Sequence, residues 1–237
     1  MSSEAAAYRS TSAIVNSGFR ASDRYIGIVK LVTIPKATVA RLPLYLHALE
    51  NLQAEGTRTV SSETLAQRVN VNAAKVRKDL SFLGAHGVRG VGYDSTDLGD
   101  QIREALGLTR DFRVVIVGIG NLGAALASYG GFGVARFHIV GLYDADDDKV
   151  GTTIGGLVVR HVRHLPSDIA EHNVEIGIIA TPADVAQEVA SKLEACGVRS
   201  ILNFAQTVLR VERADVRRVD LSTELQILGY YLRTDRN

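Results

Sequence analysis

The segment VVIVGIGNLG, residues 114–123, limits the possible folds of this chain more than any other stretch does. Its first four residues are β-branched and predict a buried strand, and the residues NLGAALASY predict a helix. Between the strand and the body of the helix, Gly118, Gly120 and Gly123 form a G-x-G-x-x-G pattern. In dinucleotide-binding folds these glycines permit a tight turn, a close approach of the pyrophosphate, and close packing of helix and strand. The segment therefore predicts a phosphate site where the helix begins.

A second apolar segment, RFHIVGLYD, ends in Asp144, which lies 21 residues after Gly123. At this spacing a carboxylate accepts hydrogen bonds from the hydroxyl groups of an adenosine ribose and repels a 2′-phosphate. The spacing therefore favours NAD over NADP. The alternative is an ordinary acidic loop residue, since Asp146, Asp147 and Asp148 follow.

From residue 113 onwards, short runs rich in Val and Ile alternate with helical segments. Such runs are typical of parallel strands that are buried on both faces, and the alternation predicts an α/β domain. One of these strands, VEIGIIATP, ends at Thr181 and Pro182. Ligands collect at the carboxyl ends of strands in open parallel sheets, so both residues are candidates for the cofactor pocket, with a plain turn as the alternative.

The patterns divide the chain into four parts. Residues 1–35 have no sustained periodicity and are predicted to be a flexible extension. Residues 36–112 form an N-terminal helical domain that ends in an acidic linking helix, and residues 113–221 form a Rossmann-like domain. Residues 222–237 form a C-terminal helix and tail. The predicted fold class is α/β with an N-terminal all-α winged helix.

The N-terminal domain has the pattern of a helix-turn-helix. A first helix is predicted to begin near Thr38, and Ser61 or Ser62 caps the second. A tight turn then leads into a third helix over residues 72–83, as in a helix-turn-helix. The glycine-rich segment GAHGVRGVGY that follows predicts a hairpin, which would serve as a wing.

The third helix has a basic outer face. Residues 36–93 contain eight Lys or Arg and four Asp or Glu, which favours an anionic partner. The apolar residues of the third helix fall on one stripe, so small and basic residues face outwards, as DNA recognition in a major groove requires. Asn72 is predicted to leave backbone N–H groups free for a phosphate. The candidate DNA-binding residues are Asn72, Lys75, Arg77, Lys78 and Ser81, with Arg89 at the tip of the wing.

Several classes of function are excluded or disfavoured. One cysteine, Cys196, excludes an internal disulfide and a cysteine-rich zinc site, and the six histidines lack ligand spacing, so no metal site is predicted. The apolar run Tyr25–Ile34 is too short to span a bilayer, which favours a cytoplasmic protein without membrane contact. About 125 residues follow Arg113, and the dinucleotide domain uses them all. No catalytic residue is predicted, and the expected activity is binding without turnover.

The segment VDLSTELQILGYYL predicts a terminal helix that Ser222 or Thr223 caps. It is apolar around much of its circumference, so it must be buried on its own domain or on a partner subunit. A two-fold dimer would present two recognition helices to an inverted-repeat site in double-stranded DNA.

Five segments together resemble the redox-sensing transcriptional repressors of the Rex family: KVRKDLSFLG, GVRGVGY, VVIVGIGNLGAALASYGGFG, SILNFAQTVL and VDLSTELQIL. The resemblance covers residues 36–233. It implies a homodimer of winged-helix and Rossmann-like domains in which each C-terminal helix is swapped onto the partner subunit. It also implies that NADH binding closes the dimer and releases operator DNA. NAD+ would permit repression of genes for respiration and NADH reoxidation.

The resemblance assigns roles to individual residues. Four basic residues match DNA-contacting positions, namely Lys75, Arg77, Lys78 and Arg89. The residues at matching cofactor positions are Gly118, Gly120, Asn121, Leu122, Asp144 and Thr181. Tyr129 matches a tyrosine near the nicotinamide end of the cofactor, and a core aromatic at a helix end is the alternative.

Two further positions concern the switch between the two states, and a third departs from the family pattern. Asp220 matches an acid that in related proteins pairs with an arginine of the first winged-helix helix. His47 occupies that helix position here, and since imidazole side chains titrate near pH 6.5, the switch contact is predicted to be weaker or pH-sensitive. Gln206 replaces a proline that is common in the family.

Three other functions remain open from the sequence. A small NAD-dependent reductase would show steady turnover with a substrate. A CoA-binding module shares the strand-turn-helix, although Asp144 favours ribose recognition. A transcription factor that binds another nucleotide would bind DNA equally well with and without NADH.

Overall fold

A computed structural model describes residues 34–234. The predicted flexible extension, residues 1–35, lies outside the described residues except for its last two positions. The described chain forms an N-terminal helical domain, a C-terminal α/β domain and a terminal helix, which confirms the predicted fold class. Within residues 34–234, no helix has the length and apolar character needed to cross a bilayer.

Five helices build the N-terminal domain: α1 Lys36–Val39, α2 Leu42–Ala54, α3 Ser62–Arg68, α4 Ala73–Ser81 and α5 Ser95–Ala105. Apolar side chains from α2, α3, α4 and α5 meet in one core, because each of these helices is apolar on one face only. The largest fully buried members of this core are Tyr45, Leu42, Leu49, Leu65, Leu80, Leu98 and Ile102.

The first predicted helix is in fact two helices, α1 and α2. Pro43 lies in the first turn of α2, the only part of a helix that tolerates a residue without a backbone N–H. Thr38 was predicted as a helix cap, and this was wrong. Its hydroxyl group donates a hydrogen bond to Asp79 instead, at 2.8 Å.

The cap of α3 was predicted correctly, since the Ser61 hydroxyl accepts a hydrogen bond from the Thr64 N–H at 3.0 Å. The predicted wing hairpin is only partly correct. A single bridge between Val88 and Gly92 closes its turn, and the regular pairing of the wing joins β1, Thr59–Val60, to β2, Tyr93–Asp94. Gly92 has a φ of +107°, and an added Cβ would meet the carbonyl oxygen of Val60, so this turn requires glycine.

Helix α5 is more than the linker that the sequence suggested. The Asp94 side chain caps it by accepting hydrogen bonds from the Thr96 and Asp97 N–H groups at 2.8 and 3.0 Å. Its inner residues Leu98 and Ile102 are buried in the core of the N-terminal domain. The helix is therefore an integral part of this domain.

The C-terminal domain is built on a seven-stranded sheet with the order β5-β6-β4-β3-β7-β8-β9. Six of these strands are parallel, and only β5 is antiparallel to its neighbour. The strands are β3 Phe112–Val117, β4 Phe137–Asp144, β5 Thr153–Ile154, β6 Leu157–His161, β7 Ile176–Ile179, β8 Ser200–Asn203 and β9 Asp215–Arg218. Strands β5, β6 and β9 were not predicted from the sequence.

Helices cover the two faces of this sheet unequally. Val115 and Val117 point into a core with α8, Leu165–His172, and α9, Ala183–Ala195. Val114 and Ile116 point into the opposite core. There the covering elements are two short helices, α6 Asn121–Ala127 and α7 Gly131–Val134, together with the β5–β6 hairpin.

The last element is helix α10, Leu221–Thr234. It begins one residue earlier than predicted, and neither Ser222 nor Thr223 caps it. The Asp220 carboxylate accepts hydrogen bonds from the N–H groups of these two residues at 3.0 and 3.3 Å. The predicted burial of this helix is not realised within one chain, since its large apolar side chains are exposed.

Candidate functional sites

A cleft of about 780 Å³ opens at the carboxyl ends of the central strands β3, β4 and β7. The strand order reverses beside β3, and this is the position at which open α/β sheets bind ligands. Seven of the nine predicted cofactor residues line the cleft: Gly118, Gly120, Asn121, Leu122, Asp144, Thr181 and Pro182. Gly123 and Tyr129 do not line it.

Each glycine of the turn has a different role. Gly118 has a φ of +94°, and an added Cβ would lie 2.7 Å from the carbonyl oxygen of Ala180, so only glycine lets β3 and β7 approach here. Gly123 lies behind the cleft, where an added Cβ would meet the carbonyl oxygen of Gly118. Gly120 faces open space, with no atom within 4 Å of an added Cβ. The first and third glycines therefore serve packing, and the second leaves room for a ligand.

Asp144 is nearly buried at the end of β4 and is held by three hydrogen bonds. Its Oδ2 accepts from the Ile119 N–H at 2.6 Å and from Lys149 Nζ at 3.2 Å, and its Oδ1 accepts from the Asp146 N–H at 3.0 Å. Burial raises the pKa of Asp144. The three hydrogen bonds and the Lys149 charge lower it by more than burial raises it, so the pKa lies below the usual value. The carboxylate is therefore charged and fixed against the glycine turn.

Lys149 is a cleft residue that the sequence analysis missed. Its Nζ lies 3.2 Å from Asp144 Oδ2 and 3.5 Å from Asp146 Oδ2. The only sequence signal was a lysine five positions after Asp144 in a loop of acidic residues. This ion pair places one positive charge beside the carboxylate that the sequence analysis assigned to the ribose.

Thr181 has a buried hydroxyl group without a hydrogen-bond partner among the described residues. It lines the cleft next to Gly118. Because an unsatisfied buried hydroxyl costs free energy, its presence in a cleft indicates that a ligand supplies the partner.

Tyr129 lies at the edge of a second cavity of about 440 Å³, which we call the apolar groove. The groove is on the sheet face of α6 and α7, and its lining includes Val114, Phe132, Ile178 and Leu202. The Tyr129 ring packs edge-on against Phe132 at 5.0 Å between ring centres and is 59% exposed. Within one chain, Tyr129 is therefore not part of the cofactor cleft.

The candidate DNA surface is the outer face of α4. Lys75, Lys78 and Ser81 are all exposed there, as predicted, while Val76 and Leu80 are buried beneath them. The exposed wing turn carries Arg89. The six candidate residues therefore lie on one helix and one neighbouring turn.

Arg77 is exposed but already paired. Its Nη1 donates to the Ser62 hydroxyl and to Glu63 Oε1, both at 2.8 Å. The ion pair with Glu63 holds the guanidinium between α3 and α4. The Arg77 side chain is 53% exposed. A DNA phosphate at this position would compete with Glu63 for the same donors.

The prediction for Asn72 needs a correction. Its side chain caps α4 by accepting a hydrogen bond from the Ala74 N–H at 2.7 Å, and its carbonyl oxygen accepts from Lys75 and Val76. Among the first-turn donors of α4, only the Ala73 N–H has no hydrogen bond within residues 34–234. Asn72 therefore leaves fewer free N–H groups than expected.

Comparison with known proteins finds a match for each of the two domains. Residues 33–81 match the family described as "Putative DNA-binding protein N-terminus", and residues 109–207 match the "CoA binding domain" family. The chain is 57% identical over 199 residues to the redox-sensing transcriptional repressor Rex of Streptomyces coelicolor. The aligned residues cover 84% of this chain and 77% of that protein. The chain belongs to the Rex family of redox-sensing transcriptional repressors.

Two solved Rex-family structures have the same fold. The crystal structure of RSP with β-NAD+ and operator DNA is 32% identical, with a TM-score of 0.81 over 86% of this chain and 94% of that chain. RSP with β-NADH is 31% identical, with a TM-score of 0.79 over 86% of this chain and 96% of that chain. The predicted Rex resemblance is thus confirmed over both domains.

The two predicted Rex switch residues are not joined within one chain. His47 is exposed on α2. Asp220 lies 3.9 Å from Arg218 and caps α10, and no hydrogen bond of the described residues joins it to His47. The cap lowers the pKa of Asp220 through hydrogen bonds from Thr223 and Ser222. Gln206 is exposed, and nothing in the structure explains its departure from the Rex pattern.

Proposed function

We propose that this chain is a homodimeric repressor that binds NADH and NAD+ in the cleft and an inverted-repeat DNA operator through α4 and the wing. NADH would close the dimer and release the DNA, and NAD+ would permit repression. The single observation that carries the proposal is the combination, in one Rex-family chain, of an exposed basic recognition helix with a Rossmann cleft that holds an unpartnered threonine. Support comes from the RSP structures with β-NADH and with β-NAD+ and operator DNA.

The residues of the cleft fit a dinucleotide. Gly120 leaves space against the backbone for a pyrophosphate, and Asn121 and Leu122 begin the helix beside it. Asp144 Oδ1 keeps a free lone pair for a ribose hydroxyl, while Lys149 Nζ is a donor next to it. The Thr181 hydroxyl and the Pro182 ring would border the nicotinamide end. This ring, charged in NAD+ and neutral in NADH, supplies the redox signal.

The coupling to DNA follows from linkage. A ligand shifts the equilibrium between two dimer shapes only by the difference in its affinities for them. Burying the nicotinamide ring in apolar surroundings at the dimer seam favours the neutral form, because an isolated charge is costly to desolvate. The apolar groove with Tyr129 and the exposed apolar side chains of α10 provide such surroundings when a second subunit covers them.

The cleft favours binding without turnover. Every titratable side chain that lines it within the described residues is in an ion pair, Asp144 and Asp146 with Lys149, and Glu188 with Lys192 at 2.6 Å. A dehydrogenase needs a free acid or base near the reacting carbon. We therefore propose that the chain is not an enzyme, and that it acts in the cytoplasm, where its DNA and coenzymes are.

The test is a DNA affinity measurement with each coenzyme separately. Operator duplexes are first selected by the protein from a random pool, and binding is then titrated at a fixed salt concentration, because phosphate contacts make affinity strongly salt-dependent. We expect NADH to weaken operator binding and NAD+ to leave it intact. Equal binding with and without both coenzymes, or steady oxidation of NADH with a small substrate, would exclude the proposal.

Replacing His47 tests the proposed switch contact. An arginine at residue 47 carries a permanent positive charge, so the variant His47→Arg is expected to show a larger NADH response than the wild type at pH 6 and at pH 8. The measurement is the ratio of operator affinities without and with NADH at each pH. His172→Arg, in the sheet domain, is the control, and a response of His47→Arg equal to that of the wild type at both pH values would disprove the contact.

A further inference from the structure

The recognition helix carries a charged residue on its buried side. Asp79 lies on α4 between the exposed Lys78 and the buried Leu80, and it is 2% exposed. Four hydrogen bonds reach its carboxylate. Thr38 Oγ1 and Arg41 Nη2 donate to Oδ1 at 2.8 and 2.7 Å, and Arg41 Nε and the Tyr45 hydroxyl donate to Oδ2 at 2.6 and 2.8 Å.

This carboxylate is ionised and fully satisfied. Burial raises the pKa of Asp79. The hydrogen bonds from Arg41, Tyr45 and Thr38 lower it by more than burial raises it, so the pKa lies below its usual value. Burial and the hydrogen bond to Asp79 raise the pKa of Tyr45 to about 12, so its hydroxyl remains a donor. The four oxygen lone-pair positions of Asp79 are thus used by four donors.

The donors come from three successive parts of the chain. Thr38 is in α1, Arg41 is in the break between α1 and α2, and Tyr45 is in α2. The interruption after Val39 therefore brings three donors to one carboxylate. Asp79 therefore connects α4 to α1 and α2.

Apolar packing alone does not fix the orientation of α4. The contacts of Val76 and Leu80 are non-directional, so they resist separation from the core more strongly than rotation about the helix axis. A two-pronged contact between a guanidinium and a carboxylate is directional, because both N–H groups must point at both oxygens. Buried ion pairs of this kind contribute more to a unique arrangement than to stability in some proteins.

The orientation of α4 matters because its outer residues act together. Lys75, Lys78 and Ser81 are all exposed on this helix: Ser81 lies opposite Asp79, Lys78 lies to the side, and Lys75 lies one turn before Asp79. A rotation of the helix would move all of these side chains relative to base edges in a groove. Contacts to phosphates tolerate such a shift, since flexible side chains still reach them, whereas contacts to base edges do not.

We propose that Asp79 is a positioning residue for operator recognition, which orients α4 through Arg41, Tyr45 and Thr38 and so determines operator preference without touching DNA. The inference rests on the proposed DNA-binding function. It predicts that the loss of Asp79 lowers affinity for the operator and leaves affinity for unrelated DNA nearly unchanged.

The test compares Asp79→Asn with Asp168→Asn in the full chain. Asp168 is a matched control, because it is a carboxylate that is 1% exposed in the sheet domain. It accepts a hydrogen bond from the Tyr143 hydroxyl at 2.8 Å and contacts Arg160 Nη1 at 2.6 Å. Both variants are expected to lower the melting temperature, so an effect that comes only from lost stability would appear in both.

The readout is the ratio of two affinities at fixed salt, one for an operator duplex selected by the wild type and one for a scrambled duplex of equal composition. For Asp79→Asn we expect this ratio to fall by about tenfold, the discrimination that one good base contact supplies. For Asp168→Asn the ratio should equal that of the wild type. An unchanged ratio in Asp79→Asn, or an equal fall in both variants, would overturn the proposal.

A second variant covers the case in which Asp79→Asn does not fold. Arg41→Lys keeps a positive charge at a site that is 22% exposed but loses the two-pronged contact. The ratio of its affinity for the operator to its affinity for scrambled DNA should fall, while its affinities for scrambled DNA and for NADH stay unchanged. A ratio equal to that of the wild type would overturn the proposal. If the wild type itself shows no operator preference, the proposed function fails, which is a different result from a preference that survives these substitutions.

Discussion

The variant Gly120→Ala is expected to fold normally and to lose most of its affinity for NADH. Gly120 has φ −82° and ψ −167°, an extended conformation that alanine adopts without strain, and its added Cβ meets no atom within 4 Å. The free energy of unfolding should therefore change by less than about 0.5 kcal/mol. The same methyl group would occupy the space that a pyrophosphate needs against the backbone.

The expected loss of NADH affinity is about tenfold or more, because overfilling a tight contact costs about 1–3 kcal/mol. Titration of NADH fluorescence measures this loss, and thermal unfolding shows that the fold is intact. Operator binding by Gly120→Ala should then resist NADH concentrations that release the wild type. Gly133→Ala, in α7, is the control, since its Cβ also faces open space but not the cleft. Normal NADH binding by Gly120→Ala would show that the cofactor does not approach this turn.

The variant Gly123→Ala should behave in the opposite way. Its added Cβ would clash with the carbonyl oxygen of Gly118, so helix α6 must move away from β3. We expect a loss of about 3 kcal/mol in the free energy of unfolding. A lower melting temperature in Gly123→Ala but not in Gly120→Ala would separate the packing role from the binding role, and equal stability would contradict the structure.

The central sheet and its cleft could be predicted because their signals are local. The strand before Gly118, the spacing to Asp144 and the strand end at Thr181 each lie within one short segment. The carboxyl ends of parallel strands then meet at one edge, so the sequence also predicts which residues converge. Strands β5 and β9 gave no such signal, because a two-residue strand has no period and β9, DVRR, has one apolar residue among three charged ones at an edge.

Contacts between distant segments could not be predicted in this way. Asp79 follows Lys78 in a basic helix, so the sequence alone suggests an exposed acidic residue. Its four hydrogen-bond donors belong to residues that lie 34 to 41 positions earlier in the chain. The pairing of Lys149 with Asp144 depends on a loop that folds back on its own strand. The partner of the second wing strand, β1, lies more than 30 residues upstream.

A double substitution on helix α10, Leu225→Asp with Leu228→Asp, is expected to convert the protein to monomers. Both side chains are exposed in the single chain, by 69% and 59%. Seven large apolar residues are exposed on this one helix: Leu221, Leu225, Ile227, Leu228, Tyr230, Tyr231 and Leu232. A soluble monomer rarely exposes so large a continuous apolar surface, which marks an interface.

Burial of each leucine on a partner subunit would stabilise the dimer by about 1.5–3 kcal/mol. Placing two carboxylates there removes this contribution and adds the cost of desolvating two charges. Sedimentation should therefore show a dimer for the wild type and a monomer for the variant at the same concentration. Gln226→Asp, an exposed polar position on the same helix, is the control for added charge.

The consequence for DNA binding should be larger than the change on α10 itself suggests. A dimer that engages one half-site holds its second recognition helix at a high effective concentration near the other, and this raises the overall affinity by about 10²–10⁴. The monomeric variant loses that gain and binds an operator little better than a single half-site. It should also lose the effect of NADH on DNA binding, while NADH still binds to the glycine turn, Asp144 and Thr181 that each chain supplies. A variant that stays dimeric, or a monomer whose operator binding still responds to NADH, would show that coenzyme and DNA are coupled within one subunit rather than through the pairing of two.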